Sequence, residues 1–202
     1  MITSLRRTLA HTVAVLGLCL SLMPVDGWSQ EAEAQATDEE PGFRVLFSEA
    51  REVDQVIRLD AGFDLKLSPE LIEAITKGIP ITIDIEMELW RSRSYWLDDE
   101  VARVVQSYTL TYNDLTRSYI LENLNSGAHF KLPTLDSALW VASGLTDFPF
   151  VDASLLQPQE QYYYRIRLGV NVESLPVPLR VLAFVSSRWH LTSEWYTWPL
   201  TR

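Results

Sequence analysis

Residues 79–90 read IPITIDIEMELW, and the architecture of the chain turns on them. Their odd positions are Ile79, Ile81, Ile83, Ile85, Met87 and Leu89; their even positions are Pro80, Thr82, Asp84, Glu86, Glu88 and Trp90. Side chains on a strand alternate faces with period two, so the segment is one long strand, apolar on one face and acidic on the other. A helix would spread the same isoleucines around its whole circumference.

The segment just before it is a well-punctuated helix. Ser68 is placed to cap, Pro69 to take the first helical position, and Glu70 and Glu73 to sit near the positive end. Leu71, Ile72 and Ile75 are expected toward the core, and Gly78 ends the helix. Earlier still, Phe43 to Val53 reads as a first strand. Val56 to Leu67 reads as a second, with Ile57, Leu59, Ala61, Phe63, Leu65 and Leu67 on one face and Gly62 predicting a bulge.

Downstream, Asp98-Asp99-Glu100 marks a turn and Val104 to Tyr112 alternates again. Ser118 to Leu124 returns as the second half of a hairpin after Asn113-Asp114, and Asn125-Ser126-Gly127 signals another turn. Thr134 to Leu145 predicts a second helix with a stripe of Leu135, Leu139, Ala142 and Leu145. Gln161 to Glu173 predicts a long strand, and Pro176 and Pro178 an extended, irregular crossing. Leu179 to Val185 fits strand or helix equally, and the closing residues 186–200 read as a final strand pair or edge. The pattern predicts a mainly β fold, an antiparallel β-sandwich or strongly curved sheet with two short helices.

The chain has 202 residues and a formal net charge of −10, which argues against nucleic acid or anionic lipid as a main partner. Its first residues read as an export signal: Arg6 and Arg7 precede an apolar core from Leu9 to Met23, broken by Pro24 and Gly27. That core is too short for an ordinary membrane span, so no stable span is expected after cleavage. Cleavage is placed between residues 29 and 34, followed by an acidic leader over 30–42 that is expected to be disordered, then a single domain over 43–202. The only cysteine, Cys19, lies within the signal, so the exported product carries no thiol, which fits a bacterial periplasm.

Several segments together carry a family resemblance. They are Gly78-Ile79-Pro80, Arg91 with Arg93, Tyr95-Trp96, Tyr164-Arg165-Ile166-Arg167-Leu168, Leu175-Pro176-Val177-Pro178-Leu179, and the aromatic tail from Ser186 to Trp198. In this order they resemble an exported proteobacterial family known as domain of unknown function 4390. The resemblance implies no activity, cofactor or catalytic residue. Members tend to be encoded beside a membrane histidine kinase of the nitrogen-regulation type, which implies a place near an envelope sensor.

The candidate site is the acidic face of the organising strand together with the residues at its C-terminal end. Asp84, Glu86 and Glu88 project from one face about 6.5–7 Å apart, twice the strand rise. Carboxylates in such a row are poorly arranged to converge on one Ca²⁺, so no metal site is expected. Arg165 and Arg167 also alternate onto one face and are candidate cross-strand partners, in which case the strip is a paired outer face. Trp90 sits with the acidic residues, and Arg91, Arg93 and Trp96 lie just beyond it; tryptophan and arginine dominate binding hot spots. Trp189, Leu191 and Trp195 alternate in register and are expected in the core.

His129 and His190 lack metal-site spacing, and no G-x-S-x-G, H-E-x-x-H or phosphate-cradling glycine loop is present. The sequence therefore predicts a non-catalytic interaction module that docks on an envelope protein through Asp84, Glu86, Glu88, Trp90, Arg91, Arg93 and Trp96. Two alternatives stay open: a small-ligand or glycan-binding domain using Trp90 and Trp96 as a platform, and a hydrolase with a spatially assembled site.

Overall fold

A computed structural model describes residues 40–201, apart from the side chains of residues 182, 184, 185 and 187. The expected export signal and most of the acidic leader lie outside the described residues. Among the described residues, nine strands and three α-helices run in the order β1 (Gly42–Val53), β2 (Val56–Lys66), α1 (Pro69–Thr76), β3 (Ile81–Ser92), β4 (Asp99–Asn113), β5 (Ser118–Asn123), β6 (Ala128–Leu132), α2 (Leu135–Ala142), β7 (Gly144–Asp152), β8 (Gln161–Val170), α3 (Val177–Val185) and β9 (Tyr196–Pro199).

The strands form two antiparallel sheets, three-stranded β1-β2-β7 and six-stranded β6-β5-β4-β3-β8-β9. The fold is mainly β and sandwich-like. Strands β1 and β7 stand at the margins of the smaller sheet, and β6 and β9 at those of the larger. The organising strand β3 lies inside the larger sheet, hydrogen-bonded to β4 on one side and β8 on the other.

Its apolar face supplies the centre of the core. Ile81, Ile83, Ile85, Met87 and Leu89 are all buried, with Tyr162, Tyr164, Ile166, Leu168 and Val170 of β8 beside them. Ile57, Leu59, Ala61, Phe63 and Leu65 of β2 belong to the same cluster, as their alternation predicts. Helix α1 forms as its punctuation demands: the Ser68 hydroxyl accepts the Leu71 N–H at 3.3 Å and donates to the Arg188 carbonyl at 2.8 Å. Its buried residues are Leu71, Ala74 and Ile75, whereas Ile72 turns outward.

The structure corrects several boundaries. Among the described residues there are three α-helices, not two, because Leu179 to Val185 is helical and Pro178 falls in the first turn of α3, where its missing N–H leaves no bond unmade. Helix α2 stops at Ala142, and Leu145 is the second residue of β7 instead of completing a helical stripe. Gly144 and Leu145 pair with Gly62 and Ala61, which satisfies their backbone groups on an otherwise open flank of β2. Strand β8 ends at Val170, where Asn171 caps a short 3-10 turn by accepting the Ser174 N–H at 3.0 Å. The bulge expected at Gly62 lies opposite it, where the register of β1 shifts between Val45 and Phe47. A Cβ on Gly62 would collide with the Phe47 ring, so glycine is what lets that ring lie over the strand.

Truncating Ile85 to alanine, at the centre of the buried face, is expected to cost about 2–5 kcal/mol in urea unfolding, while Leu115→Ala, on an exposed turn, stays within about 0.5 kcal/mol. Burial also pushes the Tyr164 and Tyr108 hydroxyls up from the ordinary tyrosine value. Groups raised in the folded state contribute stability that is present below the unfolded value, near pH 10, and lost as pH rises through the folded one. Unfolding free energy should therefore fall at strongly alkaline pH, and Tyr164→Phe should flatten part of that fall.

Candidate functional site

The outer face of the larger sheet is a lattice of paired charges. Register sets Glu88 of β3 opposite Arg103 of β4 and Arg165 of β8, and Glu86 opposite Arg167. Arg165 donates to Glu88 at 2.6 Å, and Arg167 donates to Glu86 at 2.7 Å. Arg103 approaches the other Glu88 oxygen at 2.5 Å, Glu86 at 3.7 Å and Glu100 at 3.1 Å. Its guanidinium is held charged above the ordinary arginine value, first by the hydrogen bond to Glu100 and then by the charge of Glu88. Further along, Asp84 accepts from the Ser107 hydroxyl at 2.6 Å and from the Asn171 amide at 2.8 Å.

Glu88 is 0% exposed. Two arginines and the Trp90 indole N–H, which donates to it at 2.8 Å, close it off from solvent. Arg165 lies 4.5 Å from the centroid of Trp90 and 4.4 Å from that of Trp195, and Arg167 lies 4.5 Å from Trp195. Guanidinium groups held over aromatic faces give up water cheaply and keep their charge directed at the carboxylate.

Trp195 is therefore on the arginine face and not in the core, contrary to what its alternation with Trp189 and Leu191 predicts. The segment before β9 turns over the outer face, anchored where the Ser193 N–H donates to the Leu168 carbonyl at 2.8 Å and Gly169 bridges Thr192. Trp189 and Leu191 do pack against the core.

The seven residues singled out from the sequence separate into two places. Asp84, Glu86, Glu88 and Trp90 belong to the sheet face. Arg91, Arg93 and Trp96 belong to the tip of the β3–β4 hairpin, where Arg91 binds Asp99 at 2.6 Å and Arg93 pairs with the same carboxylate. Glu88 is buried too completely to touch a partner and instead underpins the face. Trp90 is engaged as well: beside its hydrogen bond and the Arg165 contact, it stacks with Tyr163 at a centroid distance of 6.4 Å. The sequence reading does not single out Arg103, and it places Trp195 in the core instead of on this face. Nothing in the segment around Arg103 marks it, and only the register brings it to Glu88, while the turn before β9 brings Trp195 over Arg165 and Arg167.

Each carboxylate of the face meets a guanidinium, hydroxyl or amide, and among the described residues no group of three or more His, Cys, Asp or Glu could hold a metal ion. His129 sits on the exposed strand β6 with its Nε2 3.8 Å from Glu122. The depression beside the lattice, lined by Asp84, Glu86, Arg167, Asn171 and Glu173, is an open hollow of about 330 Å³.

A double-mutant cycle measures the lattice directly. Coupling between Glu88 and Arg165 in urea unfolding is expected at about 1–3 kcal/mol, because the carboxylate is dry. The cycle between Glu88 and Arg44, which pairs with Asp64 on the smaller sheet, should give a value near zero.

Comparison with known proteins finds one correspondence. No curated protein and no solved structure matches the chain. Residues 40–199 match the family described as Domain of unknown function (DUF4390). The match begins two residues before β1 and ends on the last residue of β9, so it spans both sheets and all three helices. The chain belongs to the DUF4390 family.

Proposed function

We propose that the protein is an exported, non-catalytic docking module of the periplasm, which binds an envelope protein through the outer face of its six-stranded sheet. The observation that carries this reading is the preorganised arginine–tryptophan face. Arg165 and Arg167 are held by Trp90, Trp195 and two carboxylates, so little side-chain freedom is left to lose on binding. Arginine and tryptophan are the side chains that most often dominate binding energy, and an open, mixed surface suits a protein better than a small ligand. Glu88 contributes from beneath by fixing the arginines. The family resemblance supplies the candidate partner, the exported sensor segment of a nitrogen-regulation-type histidine kinase.

Thr197 is the place to probe. It lies opposite Arg165 on β9 and is exposed, so a photoreactive residue there leaves the lattice intact. In cells, crosslinking from position 197 is expected to capture the kinase, crosslinking from Leu115 is not, and Arg167→Glu should abolish the capture. Equal capture from both positions, or none from a folded and exported protein, would count against the reading. Export has its own check: protein recovered from the periplasm should begin between residues 30 and 35.

A further inference from the structure

The β3–β4 hairpin ends in a feature that the docking face does not use. Tyr95, Trp96 and Leu97 are consecutive and 94%, 81% and 90% exposed. Among the described residues no other run of three large hydrophobic side chains is exposed; Leu46 and Phe47 come closest, and Phe47 folds back over Gly62. Single exposed apolar residues are normal on a protein surface, but a contiguous group at the end of a rigid hairpin is not.

The base of the tip is stiff and electrically balanced. Asp98 accepts the Arg93 N–H at 3.0 Å through one oxygen and the Tyr163 hydroxyl at 2.9 Å through the other. Asp99 gathers both Arg91 and Arg93. The arginines beside the tip are thus matched within the protein, while the chain as a whole is acidic at −10. The Tyr95 hydroxyl and the Trp96 indole N–H have no partner among the described residues.

We propose that residues 95–97 form a membrane-interface anchor, dipping into the headgroup and upper acyl region of a zwitterionic lipid leaflet. The chemistry selects that occupant. Tyrosine and tryptophan concentrate at membrane–water interfaces, where the ring leaves water and its polar end meets headgroups, and leucine can reach past them into the acyl region. Net acidity and internally paired arginines give the tip no attraction to anionic lipid. A fixed base means that insertion orders little that was free before. The anchor is separate from the sheet face, so either can fail without the other.

The test is partition of the protein onto vesicles of phosphatidylcholine and phosphatidylethanolamine, measured by co-sedimentation. The full chain is used for wild type and all variants, so its N-terminal segment contributes equally. The triple variant Tyr95→Ser/Trp96→Ser/Leu97→Ser is expected to lose at least about tenfold in partition, since each side chain removed gives up burial worth about a factor of ten or more. Leu115→Ser is the control. It removes a residue 96% exposed on the turn after the 15-residue strand β4, about 50 Å from the tip. It should partition as wild type does.

Lipids brominated in the upper acyl chain should quench wild-type fluorescence more than that of Trp96→Phe, and 0.5 M salt should leave binding unchanged. Equal partition of wild type and the triple variant would overturn the proposal. So would a requirement for anionic lipid, or tip-dependent self-association in place of vesicle binding.

Discussion

A carboxylate stripped of water must be neutralised where it stands, and Glu88 imposes that condition on the whole larger sheet. An isolated ion in so dry a place would cost several kcal/mol, so its partners have to arrive with good geometry. They come from both neighbouring strands, Arg103 from β4 and Arg165 from β8. A slip of one residue on either side would send the arginine to the opposite face and drive apolar residues outward. The register that buries Ile85 and Met87 is thus the one that pairs Glu88. Apolar burial supplies the stability, and the ion pairs penalise alternative alignments.

The tryptophans fit the same logic. A guanidinium beside a dry carboxylate also has to be shielded, and a flat aromatic face does so without competing for its hydrogen bonds. Trp90 and Trp195 take that role for Arg165, which explains why an indole sits among acidic residues on β3 and why the chain turns over the sheet before its last strand.

Much of the fold was legible because period-two alternation is strong wherever one face is buried. Strands β2, β3 and β8 and the capped helix α1 all arise from such local signals. Strand β6 was not legible: Ala128 to Lys131 are all exposed, so no alternation is imposed on them. Strand β7 was masked because Leu145 continues the spacing of Leu135, Leu139 and Ala142 in a helical stripe, and only pairing with β2 makes it a strand. At the site, alternation shows which face Glu88 occupies but not that it alone of the three carboxylates would be buried. That depends on Arg103 and Arg165, which lie 15 and 77 positions away along the chain. Local pattern identifies the face, and long-range register decides which member of it is dry.

The margins of the two sheets have one more consequence. An unpaired strand edge is an invitation for another chain to add a strand, and here each of the four edges is made unsuitable for it. Strand β1 is kinked by its bulge near Leu46, β7 carries Pro149 and breaks register twice against β2, β6 is five residues long with Lys131 exposed, and β9 is four residues long and ends in Pro199. Proline withholds a ladder N–H, a bulge spoils the spacing, and a short charged edge gives little to align with. A mainly β chain protected in this way can present an exposed aromatic tip and a dense charged face in a crowded compartment without its sheets growing into one another.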